Sequence, residues 1–106
     1  MFVINGVVWA VKIVRPDHPL LRQPNGNFAL GVCDSRQQLI CISNQLKGLA
    51  FKETLCHEIV HAAVFSYGVT ISRAEEEFLA KFIAKYGREL ITVTDKVFKQ
   101  MNRGRF

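Results

Sequence analysis

Short runs of β-branched and aromatic residues occupy the first half of the chain, through about residue 44. Such runs predict strands, and the run from Val7 to Val14 is the clearest of them. Pro16, Pro19 and Pro24 interrupt the pattern together with Asn25-Gly26-Asn27, so we expect an irregular loop there. The first half therefore predicts strands that are separated by a loop.

A strand pair is predicted after this loop, from Phe28 to Cys33 and from Gln38 to Ser43. The intervening Asp34-Ser35-Arg36 is typical of a turn. Together with Val7 to Val14, the pair predicts a small twisted sheet of about three strands, mostly antiparallel.

The second half has the periodicity of helices. No proline occurs from Leu49 to Tyr67, and a glycine follows, which predicts one helix over this range. A further helix is predicted from Ser72 to Arg88, where Ser72 and Glu75 have the spacing of a capping box. Gly87, or the nearby Tyr86, marks an end or a weak point of this helix, and Glu89 to Phe98 can continue it. The chain is therefore expected to belong to the α+β class.

Length and composition indicate one domain over residues 1–106, since 49% of the residues are apolar and 22% are charged. The apolar stretches are shorter than the roughly 18 residues that cross a bilayer, so we expect no contact with membranes through a spanning helix. No secretory signal is recognisable. Three cysteines without CxxC spacing indicate a reducing compartment, and we expect a cytoplasmic protein.

The net charge of +5 favours contact with nucleic acid or acidic partners, although charge alone gives no specificity. Basic residues are concentrated between Lys96 and Phe106. We expect this segment to be a solvated terminus.

The segment His57-Glu58-Ile59-Val60-His61 is an HExxH motif. On a helix, two residues four positions apart lie one turn above each other, so both imidazoles can bind one metal ion. Glu58 then lies beside the open metal position. There its carboxylate can take a proton from water as that water attacks a carbonyl, and can pass the proton to the leaving amine.

The rest of this helix is apolar around most of its circumference. Thr54, His57, Glu58 and His61 fall within a sector of about 100° on a helical projection. Burial of two imidazoles and a carboxylate costs several kcal/mol unless they find partners, and a divalent metal provides them. The motif therefore predicts a zinc site, with His57 and His61 as ligands and Glu58 as general base.

A third ligand is needed, and no histidine follows His61. The next helix opens with Glu75-Glu76-Glu77. Periodicity places Glu75 near the middle of its apolar face, Glu76 at the edge of that face and Glu77 on the opposite side. The small residues Ala80 and Ala84 follow Glu76 at intervals of four and would allow a close approach to the HExxH helix. Periodicity therefore leaves both Glu75 and Glu76 as candidates for the third ligand.

The motif and its surroundings resemble the small, often phage-encoded, gluzincin-type zinc metallopeptidases. The similar segments lie between Gly31 and Leu90: Gly31-Val32-Cys33-Asp34, Leu39-Ile40-Cys41-Ile42, Thr54 to Ala62 and Glu75-Glu76-Glu77-Phe78-Leu79. The resemblance implies Glu76 as the third zinc ligand, because the family pattern has a glutamate three residues before an apolar helix position. It also implies a sheet whose edge strand binds an extended peptide, and a bacterial or phage-infected host cell.

Zinc-dependent hydrolysis of peptide bonds, by a metal-bound water that Glu58 activates, is the expected function. A peptide or protein is the expected substrate. The alternative is a regulatory or DNA-associated binding module in which the metal site is vestigial or structural. The oligomeric state is left open, and so is the oxyanion stabiliser, for which the candidates are Tyr67, Tyr86, His18 and Arg73.

Overall fold

The structure, a computed structural model, describes residues 1–103 and contains one mixed sheet and two helices. In chain order the elements are β1 (Phe2–Ile4), β2 (Val7–Val14), a 3-10 turn (Pro19–Leu21), β3 (Gly31–Asp34), β4 (Leu39–Ser43), α1 (Gly48–Ser66) and α2 (Arg73–Arg103). The predicted α+β class is confirmed. Residues 104–106 of the predicted solvated terminus lie outside the described range, whereas residues 96–103 belong to α2.

The sheet has the strand order β1-β2-β4-β3. β1 and β2 form an antiparallel hairpin whose turn residues, Asn5 and Gly6, have φ values of 47° and 79°. A two-residue turn with positive φ at both positions suits the twist of a hairpin. β3 and β4 are antiparallel, as predicted, and β2 and β4 are parallel.

The prediction of about three strands was wrong by one strand. β1 has only three residues, which is too short for periodicity to reveal before the hairpin partner is known. The parallel pairing was also missed. Parallel neighbours need a long crossover connection, and here the segment from Arg15 to Gln38, which contains the 3-10 turn and β3, provides it.

The core lies between the sheet and α1. All five residues of β4 are buried, as expected for a central strand. Trp9 of β2, Ile40 and Ile42 of β4 and Ala62 of α1 form the main buried cluster. The Trp9 indole donates a hydrogen bond of 2.9 Å from Nε1 to Ser66 Oγ, which fixes the end of α1 to the sheet.

Two helices form an antiparallel pair joined by a short loop. The predicted capping box is present: Ser72 N donates to Glu75 Oε1 at 2.8 Å, and Glu75 N donates to Ser72 Oγ at 3.1 Å. α2 continues without a break through Gly87. One glycine costs only about 1 kcal/mol relative to alanine, which is too little to end a long helix.

Within residues 1–103, neither helix has an apolar run long enough to span a lipid bilayer. The three cysteines are free thiols, and Cys41 is buried in β4.

Candidate metal centre

His57, Glu58 and His61 lie in the middle of α1 and face an open cleft. One wall of this cleft is β3, which approaches α1 closely at Gly31. A Cβ atom placed at Gly31 would lie 2.9 Å from Thr54 Cγ2 and 3.2 Å from Glu58 Cγ. Glycine at this position therefore allows the strand to lie directly against the motif.

The two imidazoles meet the carboxylate of Glu77, from α2. Glu77 Oε1 lies 2.8 Å from His57 Nε2, and Glu77 Oε2 lies 3.4 Å from His61 Nε2. One donor atom from each of the three residues can be chosen so that all lie within 4.8 Å of one another. This cluster could hold a metal ion, and the His57 and His61 pair is the one that the motif predicted.

Glu76, the predicted third ligand, is not part of that cluster. Its Oε2 lies 2.6 Å from His61 Nδ1, on the side of the ring away from the cluster. Periodicity placed Glu77 opposite the apolar face of α2, and this side of the helix is the one that meets the motif histidines. Which glutamate binds a metal stays a prediction, but the geometry favours Glu77.

The packing face of α2 explains the position of Glu77. The large apolar residues Phe78, Phe82 and Tyr86 are exposed, and the close approach through Ala80 and Ala84 that the sequence favoured is confirmed. The small residues Ala80 and Ala84 are the buried ones, and they bring α2 close to α1. Periodicity centred on the alanines, rather than on the aromatic residues, would have brought both Glu76 and Glu77 toward the motif.

Glu75, the other glutamate left open, belongs to the capping box and is exposed. Its hydrogen bonds to the backbone and side chain of Ser72 lower the pKa of the carboxyl group. The three successive glutamates near the start of α2 thus lie in three different environments.

The donor set suits zinc. Two imidazole nitrogens and one carboxylate oxygen are a known ligand set of catalytic zinc sites, which leave a fourth position open. With bond lengths of about 2.0–2.2 Å, the donor atoms around a tetrahedral zinc ion are roughly 3.3 Å apart. The separation of 3.4 Å between Glu77 and His61 matches this value, whereas the separation of 2.8 Å between Glu77 and His57 is shorter. His61 donates its Nδ1 hydrogen to Glu76, so Nε2 keeps a free lone pair toward the cluster.

Burial controls the ionisation of two motif residues. Glu58 is only 7% exposed, and its burial raises the pKa of the carboxyl group to about 7, with His61 opposing and Glu77 adding to this effect. Burial lowers the pKa of His57, against the influence of Glu77. A neutral imidazole is the form that binds metal, and a carboxyl group with a pKa near neutrality can both accept and donate a proton.

Cys33 also lines the cleft. Its burial, with smaller effects from Glu58, Glu76 and Asp34, raises the pKa of the thiol to about 12. The thiol therefore stays protonated at neutral pH and does not provide a thiolate ligand.

The cleft has a volume of about 940 Å³, and a second cleft of about 700 Å³ adjoins it. Gln23, Gly31, His57 and Glu58 line both, so the two clefts meet at the motif. Apolar residues after the motif, including Phe65 and Ile71, line the first cleft. Lys81 and Lys85 line the second.

Of the four candidate oxyanion stabilisers, only Arg73 lines the first cleft. His18 has a structural role, since its Nδ1 accepts a hydrogen bond of 3.1 Å from Leu20 N and caps the 3-10 turn. Tyr67 and Tyr86 are exposed and line neither of the two clefts.

Comparisons with protein-family models, curated proteins and solved structures found no match to this chain. The resemblance to gluzincin-type peptidases therefore remains a prediction that rests on the sequence segments given above.

Proposed function

We propose that this protein is a zinc-dependent peptidase in which His57, His61 and Glu77 hold the metal and Glu58 is the general base. The observation that carries the proposal is the Glu77 carboxylate, which lies within 2.8 Å and 3.4 Å of the Nε2 atoms of the two motif histidines. In this proposal Glu76 is a positioning residue, because it accepts the Nδ1 hydrogen of His61.

A bound zinc ion would lower the pKa of water at the site and polarise a substrate carbonyl. Glu58 lies beside the histidines and is nearly buried. Its carboxylate takes a proton from the attacking water and passes it to the nitrogen of the leaving amine.

An extended peptide is the substrate class that fits the surroundings of the site. β3 is one of the two edge strands of the sheet and forms a wall of the cleft beside the motif. A peptide can add to an edge strand through main-chain hydrogen bonds, and its side chains then occupy pockets on alternate sides. The joined clefts run past His57 and Glu58 in both directions, which gives room for residues on each side of a scissile bond.

The test is zinc content and peptide cleavage by the purified full chain, compared with Glu58→Gln. We expect about one zinc per chain in both proteins. We expect cleavage of a mixed fluorogenic peptide library by the parent protein only, with a loss of about 100-fold or more in the variant. Asp95→Asn is the matched control, since it makes the same carboxylate-to-amide change on an exposed part of α2.

Two results would overturn the proposal: a parent protein that binds no zinc, or a Glu58→Gln variant that cleaves as fast as the parent. The alternative, a DNA-associated module, is supported by the net charge of +5. A chain that binds DNA equally well with and without Glu58→Gln, and cleaves no peptide, would favour that alternative.

A further inference from the structure

α2 is much longer than the helix it packs against. It has 31 residues, which corresponds to about 46 Å, whereas α1 has 19 residues. The molecule is correspondingly elongated, with extents of 57 × 30 × 27 Å. Every residue from Arg88 to Met101 is exposed, so the second half of α2 extends past the body of the fold.

A continuous apolar surface runs along the outer side of this helix. We call it the outer stripe, and it consists of Phe82, Tyr86, Leu90, Val93, Val97 and Met101. Helical periodicity places all six residues within a sector of about 100°. Each of them is between 41% and 56% exposed.

The outer stripe does not serve the packing of the fold itself. α2 faces α1 through a different side, where Ala80 and Ala84 are buried. A regular apolar stripe on an exposed helix is typical of a surface that another helix covers.

The stripe is complementary to itself when a second copy runs antiparallel. With the two-fold axis between residues 91 and 92, Phe82 faces Met101 of the partner subunit. Tyr86 then faces Val97 of the partner subunit, and Leu90 faces Val93 of the partner subunit. Each pairing joins a larger side chain from the first half of the stripe with an unbranched or smaller one from the second half. Alternation of this kind allows two helices to interdigitate.

Charges at the edge of the stripe support the same register. Glu89 and Lys96 lie on the same flank of the stripe, about two helical turns apart, at about 20° and 40° beyond its edge. In an antiparallel pair, equal flanks meet. Glu89 therefore lies about 3 Å along the axis from Lys96 of the partner subunit, within reach of both side chains, and the symmetry repeats the pair.

We propose that the outer stripe of α2 is a homodimer interface, formed by an antiparallel pair of α2 helices with reciprocal Glu89–Lys96 ion pairs. An anionic lipid surface is the competing occupant, because an exposed apolar stripe with a cation, Lys96, at its edge also suits a helix that lies on a membrane. An acidic residue at the edge of the stripe is unfavourable on an anionic surface, whereas it has a specific partner in the dimer.

The test is the self-association of the full chain, measured by sedimentation equilibrium over a range of protein concentrations at low salt. We expect the parent protein to form a dimer. Glu89→Lys and Lys96→Glu should each weaken the dimer about 10-fold, because each replaces two ion pairs with two like-charge contacts. The double exchange Glu89→Lys/Lys96→Glu should restore the parent affinity.

Leu90→Ser tests the apolar part of the interface, and Thr92→Ser on the polar face is its control. We expect Leu90→Ser alone to yield a monomer, with an unchanged far-UV circular dichroism spectrum, since Leu90 is exposed in the single chain. A parent protein that is monomeric at its highest workable concentration would overturn the proposal. So would a Glu89→Lys variant that binds phosphatidylserine vesicles more tightly than the parent while the double exchange fails to restore a dimer.

Discussion

Glu76 Oε2 lies 2.6 Å from Nδ1 of His61, so a carboxylate holds one edge of the imidazole ring in the metal-free chain. The other ring nitrogen, Nε2, points toward Glu77. Carboxylate support of this kind fixes both the orientation and the tautomer of a metal-binding histidine. The two neighbouring glutamates of α2 thus have different proposed roles, which mutation can separate.

Replacement of Glu77 should weaken zinc binding more than replacement of Glu76. We expect Glu77→Ala to reduce zinc affinity by more than about 100-fold, because it removes a ligand, and Glu76→Gln to reduce it by about 10- to 100-fold, because it removes only support. Competition with a chromophoric chelator measures both. Glu75→Gln is the control and should bind zinc like the parent. A larger loss for Glu76→Gln than for Glu77→Ala would assign the third ligand to Glu76 instead.

Glu58 should make the metal-free protein less stable as pH rises. Its pKa is about 7 in the folded chain against an ordinary value of 4.5, so the folded state holds a proton that the unfolded state has lost between these two pH values. The free energy of unfolding therefore falls as pH rises through this window, by up to about 3 kcal/mol. Glu58→Gln removes this dependence.

Urea unfolding of both metal-free proteins at pH 4.5 and at pH 7.5 checks this sign. The lowered pKa of His57 acts in the opposite direction, but both proteins share it, so their difference isolates Glu58. A stability difference between the two proteins that does not change with pH would contradict the raised pKa.

Gly31→Ala should destabilise the fold at the contact between β3 and α1. The added methyl group would lie 2.9 Å from Thr54 Cγ2, 3.1 Å from Ile42 Cδ1 and 3.2 Å from Glu58 Cγ. Overpacking of this kind costs typically about 1–3 kcal/mol, and here it also displaces the proposed base. Chemical denaturation measures the loss. Thr54→Ser removes the nearest methyl group and should recover part of that loss in the double variant. If the effects of Gly31→Ala and Thr54→Ser on stability simply add, this contact is not the cause of the loss.

Ser66→Ala should destabilise the junction of α1 with the sheet. It leaves the buried Nε1 hydrogen of Trp9 without its acceptor, which costs about 1–3 kcal/mol. We expect a lower melting temperature and a change in tryptophan fluorescence, since this chain has a single tryptophan. Ser35→Ala, at the turn after β3, serves as the control. If Ser66→Ala and Ser35→Ala lowered the melting temperature equally, the hydrogen bond between Trp9 and Ser66 would make no specific contribution to stability.

The HExxH spacing was sufficient to place His57, Glu58 and His61 together, because four residues make about one helical turn wherever a helix forms. The capping box at Ser72 and Glu75 was equally local and is present. The length of β2 was predicted without error, since its run of apolar residues has clear limits.

The pairing of strands that are distant in the chain was harder to predict from the sequence. The partner of each strand depends on the path of the connecting segment, so the parallel contact between β2 and β4 had no local signal. The choice of a third ligand among the three glutamates was difficult for a related reason. Periodicity orders the residues around α2, but it does not say which side turns toward α1.

The sequence by itself determined that one helix presents two imidazoles and a carboxylate on a common side, because those positions are fixed by the geometry of a single helical turn. The small residues Ala80 and Ala84 already favoured a close approach to α1, but only the tertiary structure decided that α2 turns this side, and not its aromatic side, toward α1. Close approach of two helices depends on the small side chains between them. That choice of face directs Glu77 to the histidines, directs Glu76 to the far nitrogen of His61, and leaves the aromatic side of α2 exposed.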